Sequence, residues 1–337
     1  MSLSDTRFIL LSKWLSQHFN TDITPTLICG DASFRRYFRV QHLANTYIVS
    51  DSPIELVPIA PFIELAAAYA QLGLKVPEVI AQDDINGFVL QSDLGDEQLI
   101  TRLNDQSVID FYQQALGLLP QVAQVKSTIK GDLPQYDAAF VQRELAIFTE
   151  WLLLKHLQLT LSEDEHGIIE NAFGVLTANA IEQPSVGMHR DFHCRNILIN
   201  QQQLALIDFQ DAVIGPVTYD AVSLLRDCYV RWPDAVVNQL QMGHFNLCIQ
   251  HGLIDDGVSF SQYQRWFDLM GMQRHIKAAG IFVRLNLRDG KAGYLKDIPL
   301  TLSYIVDIAA LYPELQDFGQ WLQQKVLTHF TADATDQ

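Results

Sequence analysis

The stretch MHRDFHCRNILINQQQLALIDFQD, Met188–Asp211, decides the fold of this chain. Two short apolar runs flank a polar segment centred on Gln202, a pattern that is typical of an antiparallel β-hairpin. If Gln202 is the midpoint of the turn, Asn196 and Asp208 face each other, and directly paired side chains lie roughly 5 Å apart. The pattern therefore predicts that a carboxamide and a carboxylate meet at the open end of the hairpin.

Three polar side chains in this stretch have the chemistry of phosphoryl transfer. The oxygens of Asn196 and Asp208 suit Mg²⁺, a hard cation that prefers oxygen ligands. Asp191 lies in the preceding loop, where a carboxylate that holds no metal suits a base for a hydroxyl proton. The motif HRDxxxxN alone arises by chance in many proteins, but the Asp-Phe pair that follows it favours the layout of kinases.

Composition excludes several classes of protein. Hydrophobic residues make up 48% of the 337 residues and charged residues 18%, which is typical of a folded chain and not of a disordered one. This length suggests two lobes. The net charge is −16 and the sequence contains no basic patch, so nucleic acid is not an expected partner. The acidity has two interpretations, which are solubility and attraction of a cationic substrate.

Cysteine usage and hydropathy indicate a cytoplasmic protein. Cys29, Cys194, Cys228 and Cys248 are scattered without a C-x-x-C motif, which fits a reducing compartment better than a disulfide framework or a zinc site. The apolar run near the N-terminus is too short for a signal peptide. No apolar run approaches the roughly 20 residues that a membrane-spanning helix needs, so no membrane partner is expected.

The order of patterns along the chain predicts a division near residue 95. An amphipathic helix over 4–19, alternating strands, a helix over Phe62–Leu72 that starts at Pro61, and two further strands precede Ser92–Gly95. The chain from residue 96 is mainly helical, and the hairpin is its one clear β element. We therefore predict an α+β, two-lobed protein-kinase-like fold. A small antiparallel β lobe with one bracing helix (1–95, hinge at 91–95) would bind nucleotide, and a larger helical lobe (96–337) would hold the catalytic loop and substrate pocket.

The segment Gly30–Arg36 could lie over phosphates, with its backbone N–H groups facing the oxygens. Gly30 and Ser33 are the small residues predicted to permit this, although a plain hairpin explains the segment nearly as well. Kinases also place a Lys on the strand before the bracing helix, and this strand contains none. Our hypothesis is that Arg35 or Arg36 supplies the missing charge; the alternative is that both are surface charges. Glu64, in the first turn of the bracing helix, is either a brace for such a cation or a favourable helix-terminal charge.

Five stretches carry a resemblance to a known family. The chain resembles the aminoglycoside/choline kinase-like superfamily and, within it, the anomeric sugar kinases that act on N-acetylmuramate and N-acetylglucosamine. These stretches are GDASFRRYFRV (Gly30–Val40), SDLGDEQL (Ser92–Leu99), MHRDFHCRNIL (Met188–Leu198), LIDFQDAVIGPVTYDAVSLLRDCY (Leu206–Tyr229) and QRHIKAAGIFVRLNLRDGKAGYL (Gln273–Leu295).

The resemblance implies roles for particular residues. Asp191 would be the catalytic base, with Asn196 and Asp208 as ligands of Mg²⁺. The hinge backbone near Gln91–Leu94, with Gln91 and Asp93 as the named residues, would bind the adenine of ATP. Asp220 would accept hydrogen bonds from the catalytic loop, although an N-cap of the following helix explains it equally well. Arg190 would support the loop, and the short interval between Asp208 and Asp220 leaves no room for the activation segment of a protein kinase.

Candidate substrate contacts lie on two helices. If the helix predicted over Gln262–Asn286 continues past Gly280, four basic residues share one face. Such a stripe could meet an anion, such as the lactyl carboxylate of N-acetylmuramate, or it could pair with neighbouring acids. The four residues are Arg274, Lys277, Arg284 and Arg288. Arg143 and Glu144 are further candidates that rest on the resemblance.

The resemblance thus implies Mg²⁺-dependent transfer of the γ-phosphate of ATP to a hydroxyl of an amino sugar, the anomeric one being the first expectation. A kinase for aminoglycosides or choline and a catalytically weak nucleotide-binding protein are the alternatives. The choice between ATP and GTP and the oligomeric state stay open.

Overall fold

A computed structural model describes residues 5–28 and 35–331. Gly30, Ser33 and Cys29, named above, lie outside the described residues. The chain divides into two compact units. The β-rich unit comprises the described residues up to Thr101, together with Ser127–Gly131 and Arg195–Asp211. The helical unit comprises Arg102–Lys126, Asp132–Cys194 and the described residues from Ala212 onward. This division groups the hairpin with the β-rich unit, whereas the predicted boundary at residue 95 groups it with the helices.

The described residues contain eleven strands. They are β1 (Thr26–Leu27), β2 (Arg36–His42), β3 (Asn45–Asp51), β4 (Val79–Asp83), β5 (Phe88–Ser92), β6 (Ser127–Thr128), β7 (Gly131–Asp132), β8 (Ser185–Met188), β9 (Ile197–Asn200), β10 (Gln203–Leu206) and β11 (Val213–Pro216).

The same residues contain twelve α-helices. They are α1 (Thr6–Phe19), α2 (Ala60–Gln71), α3 (Val108–Leu116), α4 (Leu119–Val122), α5 (Ala138–Ile147), α6 (Glu163–Glu182), α7 (Tyr219–Leu225), α8 (Asp234–Gln250), α9 (Phe260–Asp289), α10 (Ile298–Ala309), α11 (Gln316–Leu322) and α12 (Thr328–Thr331). Short 3₁₀ or π segments at Leu99–Arg102, Phe148–His156, Ala292–Asp297, Pro313–Leu315 and Gln323–Leu327 adjoin them.

The β-rich unit is built on a five-stranded antiparallel sheet in the order β1-β2-β3-β5-β4. Alternate residues of its strands, among them Phe38, Val40 and Val49, are buried against Leu11 and Leu15 of α1. Burial of these apolar side chains is the main free energy that holds the helix on the sheet. The predicted antiparallel β lobe is thereby confirmed.

The hairpin of β9 and β10 departs from the predicted register. Gln203 pairs with Asn200, so the turn consists of Gln201 and Gln202 alone, and the midpoint lies between them. Both residues have positive φ, 51° and 65°, as in the type I′ turn that matches the twist of a two-residue hairpin. The prediction that Gln202 is the midpoint is therefore wrong by half a residue, and Asn196 is not the direct partner of Asp208.

Backbone hydrogen bonds attach this hairpin to the rest of the β-rich unit. The N–H of Ile199 donates to the carbonyl of Glu97 at 2.7 Å, and the N–H of Leu206 donates to the carbonyl of Lys75 at 2.8 Å. The side-chain amide of Asn200 donates to the carbonyl of Leu94 at 2.9 Å. Lys75, which precedes β4, and Leu94 and Glu97, which follow β5, therefore fix the position of the hairpin.

The helical unit contains a β element that the sequence did not predict. Strands β8 and β11 pair antiparallel, with Met188 opposite Val213. The expectation that the hairpin is the only β element after residue 96 is therefore wrong. Each strand has only four residues and nearly all of them are buried, so no alternation of apolar and polar residues marks them. Met188, the last residue before the catalytic loop, therefore lies opposite the first residue of β11.

Helices α5 and α9 approach each other closely. A Cβ atom on Gly280 would lie 2.7 Å from the carbonyl carbon of Ile147, so only glycine permits this crossing. Helix α9 continues without a break past Gly280, as predicted, and is capped at its C-terminal end by Gly290, which has φ 70°. Because Lys277 and Glu144 lie one turn from the crossing on their respective helices, the close approach brings them together.

In the part of the chain that is described, no helix has the length and apolar character that a bilayer crossing requires. Cys194, Cys228 and Cys248 are buried free thiols.

Candidate active site

The catalytic loop that begins at His189 is held at its start by Asp220. The backbone N–H groups of His189 and Arg190 donate to the two oxygens of its carboxylate at 2.7 and 2.9 Å. Arg190 has φ 78°, a strained conformation for a residue with a side chain, and these two hydrogen bonds stabilise it. Asp220 is the second residue of α7 and makes no cap, so the loop-supporting role is confirmed and the N-cap alternative is wrong.

The same loop is held at its other end by Asp227, which the sequence analysis missed. Its Oδ2 accepts from the Sγ of Cys194 at 2.9 Å and from the backbone N–H of Cys194 at 3.3 Å. Its Oδ1 accepts from the N–H of Tyr229 at 3.2 Å. Two buried carboxylates therefore fix the segment from His189 to Cys194, which contains Asp191.

The electrostatics of the helical unit keep Asp191 ionised. Burial raises the pKa of this carboxyl, but the charges of Lys277, His193, Arg190 and Arg274 outweigh it, and the pKa falls below its usual value of 3.8. A carboxylate that stays deprotonated near neutral pH can accept a proton from a substrate hydroxyl.

Glu144 organises the cations around Asp191. Its Oε1 accepts from Nη2 of Arg190 at 2.7 Å and from Nζ of Lys277 at 2.9 Å. Its Oε2 accepts from the hydroxyl of Tyr136 at 2.6 Å and from Nε2 of Gln273 at 3.2 Å. Burial raises the pKa of Glu144, but the two cations outweigh it and lower the pKa to about 2. With four donors on a carboxylate that is only 4% exposed, the geometry favours a positioning role over a substrate contact for Glu144.

The other predicted substrate residues of this unit lie in three different environments. Arg274 is buried on α9, and Arg284, further along the same helix, is half-buried. Arg143 is exposed, and its guanidinium lies 5.1 Å from the centre of the Phe140 ring. Arg288 pairs with the adjacent Asp289 at 2.8 Å. Only the first half of the predicted basic stripe is therefore buried.

In the β-rich unit, Asn196 and Asp208 meet at the open end of the hairpin in spite of the shifted register. The N–H of Ile207 donates to the carbonyl of Asn196 at 3.1 Å, which extends the ladder by one step. Asp208 then adopts φ 64°, and this turn of the backbone brings its Oδ2 to 3.3 Å from Nδ2 of Asn196. Gln210 donates to the other oxygen, Oδ1, at 2.6 Å.

Phe209 anchors this turn in the core of the β-rich unit. Its ring stacks on Phe62 with centroids 5.1 Å apart and meets Tyr69 edge-on at 5.3 Å, and both of these residues belong to α2. Phe209 is fully buried, so its packing fixes the backbone on which Asp208 sits. The Asp-Phe pair thus combines a polar ligand with its apolar anchor.

The residues present fit a magnesium ion. The pair offers one carboxylate and one carboxamide oxygen, and Oε1 of Gln210 is a further buried oxygen that accepts no hydrogen bond from any described residue. Across residues 5–28 and 35–331, no group of three or more His, Cys, Asp or Glu side chains could hold a metal. A site with few protein ligands suits Mg²⁺, which usually keeps several waters and substrate phosphates in its octahedron.

The predicted phosphate-side cations differ from each other. Arg36 forms ion pairs with Asp5 and Asp51, so its charge is matched. Arg35 is 5% exposed and donates to two hydroxyls, at 3.0 Å to Ser52 and 3.2 Å to Tyr37. Arg36 is therefore the weaker candidate of the two for a phosphate contact, because two acids already match its charge.

The remaining predicted residues of the β-rich unit lie on different elements: Glu64 on α2, Gln91 on the inner strand β5, and Asp93 just after β5. Glu64 accepts from the hydroxyl of Thr128 at 2.8 Å. Gln91 lies on β5, and its buried Oε1 accepts no hydrogen bond from the described residues. Asp93 accepts from Arg39 at 2.7 Å and from the N–H of Gly95 at 2.9 Å, so it shapes the chain after β5.

An antiparallel sheet with two helices, a helical unit and an HRD loop define a protein-kinase-like phosphotransferase. The family model described as the phosphotransferase enzyme family matches residues 24–247, and the chain belongs to this family. It is 38% identical to the N-acetylmuramate/N-acetylglucosamine kinase of Pseudomonas aeruginosa over 87% of this chain and 86% of that protein. It is 34% identical to the protein of the same name from Neisseria meningitidis over 92% and 93% of the two chains.

Solved structures of low sequence identity share the fold. An ethanolamine kinase from Plasmodium vivax matches with a TM-score of 0.62 at 11% identity over 88% of this chain and 84% of that one. An ADP-bound aminoglycoside phosphotransferase matches with a TM-score of 0.60 at 13% identity over 91% and 99%. These likenesses establish the kinase-like fold predicted from the sequence.

Proposed function

We propose that this phosphotransferase is a cytoplasmic sugar kinase that transfers the γ-phosphate of ATP, with Mg²⁺, to the anomeric hydroxyl of N-acetylmuramate or N-acetylglucosamine. Such a reaction would serve the recycling of cell-wall sugars. The observation that carries the proposal is the ionised Asp191 on a loop anchored at both ends by Asp220 and Asp227. The names of relatives that are 33–38% identical support the amino-sugar acceptor.

The mechanism assigns a task to each group. Asp191 accepts a hydrogen bond from the acceptor hydroxyl and takes its proton as the oxygen forms a bond to the γ-phosphorus. The bond from that phosphorus to the bridging oxygen breaks, and ADP leaves. The proton then passes from Asp191 to solvent. Asn196 and Asp208 would hold Mg²⁺, which supplies positive charge against the phosphate oxygens when bound.

Other residues of the chain would support the base and bind the nucleotide. Glu144 keeps Arg190 and Lys277 in place, and their charges help to keep Asp191 deprotonated. Arg35 would supply the phosphate-side charge that kinases usually draw from a strand lysine, and the hinge at Gln91–Asp93 would contact adenine.

The test is a coupled ADP-release assay with four acceptors: N-acetylmuramate, N-acetylglucosamine, an aminoglycoside and choline. We expect Mg²⁺-dependent turnover with the two amino sugars only. Phosphorylation of the anomeric oxygen removes the reducing end, so the product should give no signal in a reducing-sugar assay. Turnover with choline or the aminoglycoside but with neither sugar would reject the proposal, and a product that keeps its reducing end would reject the anomeric position.

A further inference from the structure

Arg274 is a buried cation that forms no direct ion pair with an acid among the described residues, although the charges of Asp191 and Asp227 act on it from further away. It lies on α9 and is 7% exposed. Among the described residues its guanidinium makes no ion pair, and its one hydrogen bond is a long contact of 3.9 Å from Nη1 to the Sγ of Cys228. A neutral thiol does not compensate a guanidinium, and burying a charge that lacks a direct counter-ion is unfavourable.

The neighbouring cations of the helical unit show how unusual this environment is. Lys277, one turn further along α9, pairs with Glu144 at 2.9 Å, and Arg226 pairs with Asp268 at 2.6 Å. Arg190 shares the Glu144 carboxylate at 2.7 Å. These three cations therefore have an acid in direct contact, whereas Arg274 has none among the described residues. A guanidinium in this environment can bind a planar anion of the substrate, such as a carboxylate, through two parallel hydrogen bonds.

The position of Arg274 indicates which substrate brings the anion. It lies in the same unit as Asp191, and its charge acts on the carboxyl of that residue. The candidate metal ligands and Arg35 belong to the β-rich unit. The base must touch the acceptor hydroxyl, so a group close to the base on the helical unit is placed for the acceptor rather than for the nucleotide phosphates.

We propose that Arg274 binds the carboxylate of an acidic amino-sugar acceptor and thereby sets the preference for acidic over neutral sugars. This inference rests on the proposed function. N-acetylmuramate carries a lactyl carboxylate that N-acetylglucosamine lacks, so the two sugars form a natural pair for the test. Arg284 and Arg288 of the predicted stripe are not needed for this contact.

The experiment measures kcat and KM for three sugars: N-acetylmuramate, its uncharged methyl ester and N-acetylglucosamine. The full-length wild type is compared with Arg274→Gln, with Arg274→Lys, and with Arg265→Gln as a control. Arg265 lies on the same helix and pairs at the surface with Glu314 at 2.7 Å. The KM for ATP is measured for every variant.

A lost charge-assisted contact reduces affinity by about 10- to 100-fold. We therefore expect Arg274→Gln to lower kcat/KM for N-acetylmuramate by about that factor and to lower kcat/KM for N-acetylglucosamine much less, because only the electrostatic support of Asp191 is lost with that sugar. The KM for ATP should change by less than about threefold. Arg274→Lys should recover part of the loss, and Arg265→Gln should match the wild type. The wild type itself should prefer the acid over its methyl ester by a similar factor.

Three outcomes would overturn the inference while leaving the proposed function intact. They are an equal loss for both sugars, a rise in the KM for ATP, and equal wild-type efficiency with the acid and its ester. The last comparison needs no variant and stands even if Arg274→Gln fails to fold. Turnover with neither sugar would reject the proposed function, and this inference with it.

Discussion

Nζ of Lys277 lies 2.9 Å from Oε1 of Glu144, which joins the long helix α9 to α5 inside the helical unit. The same oxygen accepts from Arg190, whose backbone is held by Asp220. A single carboxylate therefore connects the loop of the candidate base to the helix that bears Arg274. Because Glu144 and Lys277 are buried, their ion pair affects both stability and chemistry.

Replacing Glu144 with Gln should destabilise the protein. The substitution leaves the charges of Lys277 and Arg190 buried without an acid, and breaking a buried pair in this way costs about 3–5 kcal/mol. Urea unfolding measures the loss. Glu150→Gln is the matched control, because Glu150 pairs with Lys155 where both side chains are about half exposed, 55% and 45%. That variant should change the free energy of unfolding by less than about 1 kcal/mol.

The same variant should alter the pH dependence of stability. The pKa of Glu144 is about 2 in the folded protein and 4.5 in an unfolded chain, so its stabilisation is fully present above pH 4.5 and is lost as pH falls toward 2. Wild type should therefore lose stability between pH 4.5 and 2 more steeply than Glu144→Gln. Parallel curves for the two proteins in that window would contradict the arrangement.

Gly280→Ala should weaken both stability and turnover. Its Cβ would meet the backbone of Ile147 and Phe148 at 2.7 Å, so the helices must separate. Overpacking of this kind costs about 1–3 kcal/mol and should displace Lys277 from Glu144. Gly243→Ala on α8 is the control, since its Cβ meets no atom within 4 Å. That change should stabilise the protein by about 0.5–1 kcal/mol. Thermal unfolding measures the stability of both variants, and kcat measures their turnover. Equal behaviour of the two variants would contradict the close crossing.

Asp191→Asn should fold normally and lose activity. The amide has the same shape but cannot take a proton, and general-base catalysis contributes about 10²- to 10⁴-fold to a rate. We expect kcat to fall by that factor with little change in the KM for ATP. In the wild type the lowered pKa of Asp191 places the acidic limb of kcat/KM below pH 3.8. Near-normal turnover of the variant would remove the assignment of Asp191 as the base.

The sequence predicted the local parts of this protein better than the tertiary ones. The alternation of apolar residues identified the five-stranded sheet, and the HRD and Asp-Phe motifs identified the loop and the hairpin. The meeting of Asn196 with Asp208 was predicted correctly from a wrong register. The true cause is the positive φ of Asp208, which no hydrophobic pattern records.

The role of Glu144 could not be predicted in the same way. It depends on a helix crossing at Gly280, between segments more than a hundred residues apart in the chain. Asp227 likewise supports the catalytic loop from a distant part of the sequence. Such long-range contacts depend on tertiary packing, and periodicity within one segment carries no signal for them. A glycine in the middle of a long predicted helix is the one local sign that was present.

Arg35 and Arg36 should respond differently to loss of charge. Arg36→Gln removes ion pairs with Asp5 and Asp51, so it should lower the melting temperature and leave the KM for ATP within about threefold. Arg35→Gln should raise the KM for ATP by about tenfold or more, as expected for a lost charge-assisted phosphate contact. Each variant controls for the other because the residues are adjacent and the substitution is the same. Unchanged KM values in both would reject a phosphate role for this segment.

The turn of the catalytic hairpin is a place where the protein can be stabilised without altering its site. Gln201 and Gln202 both have positive φ, a conformation that costs roughly 1–2 kcal/mol per residue with a side chain other than Asn or Gly. The double variant Gln201→Asn, Gln202→Gly supplies the sequence that a type I′ turn favours. It should raise the free energy of unfolding by about 1 kcal/mol in urea and leave kcat unchanged, because the strand pairing from Gln203–Asn200 to Leu206–Ile197 is kept.

Gln203→Gly is the control, placed in the strand beside the turn. It should instead lower the free energy of unfolding by about 0.5–1 kcal/mol. A double variant that is no more stable than wild type would mean that the turn has a different length. The register that brings Asn196 to Asp208 would then have to be redrawn.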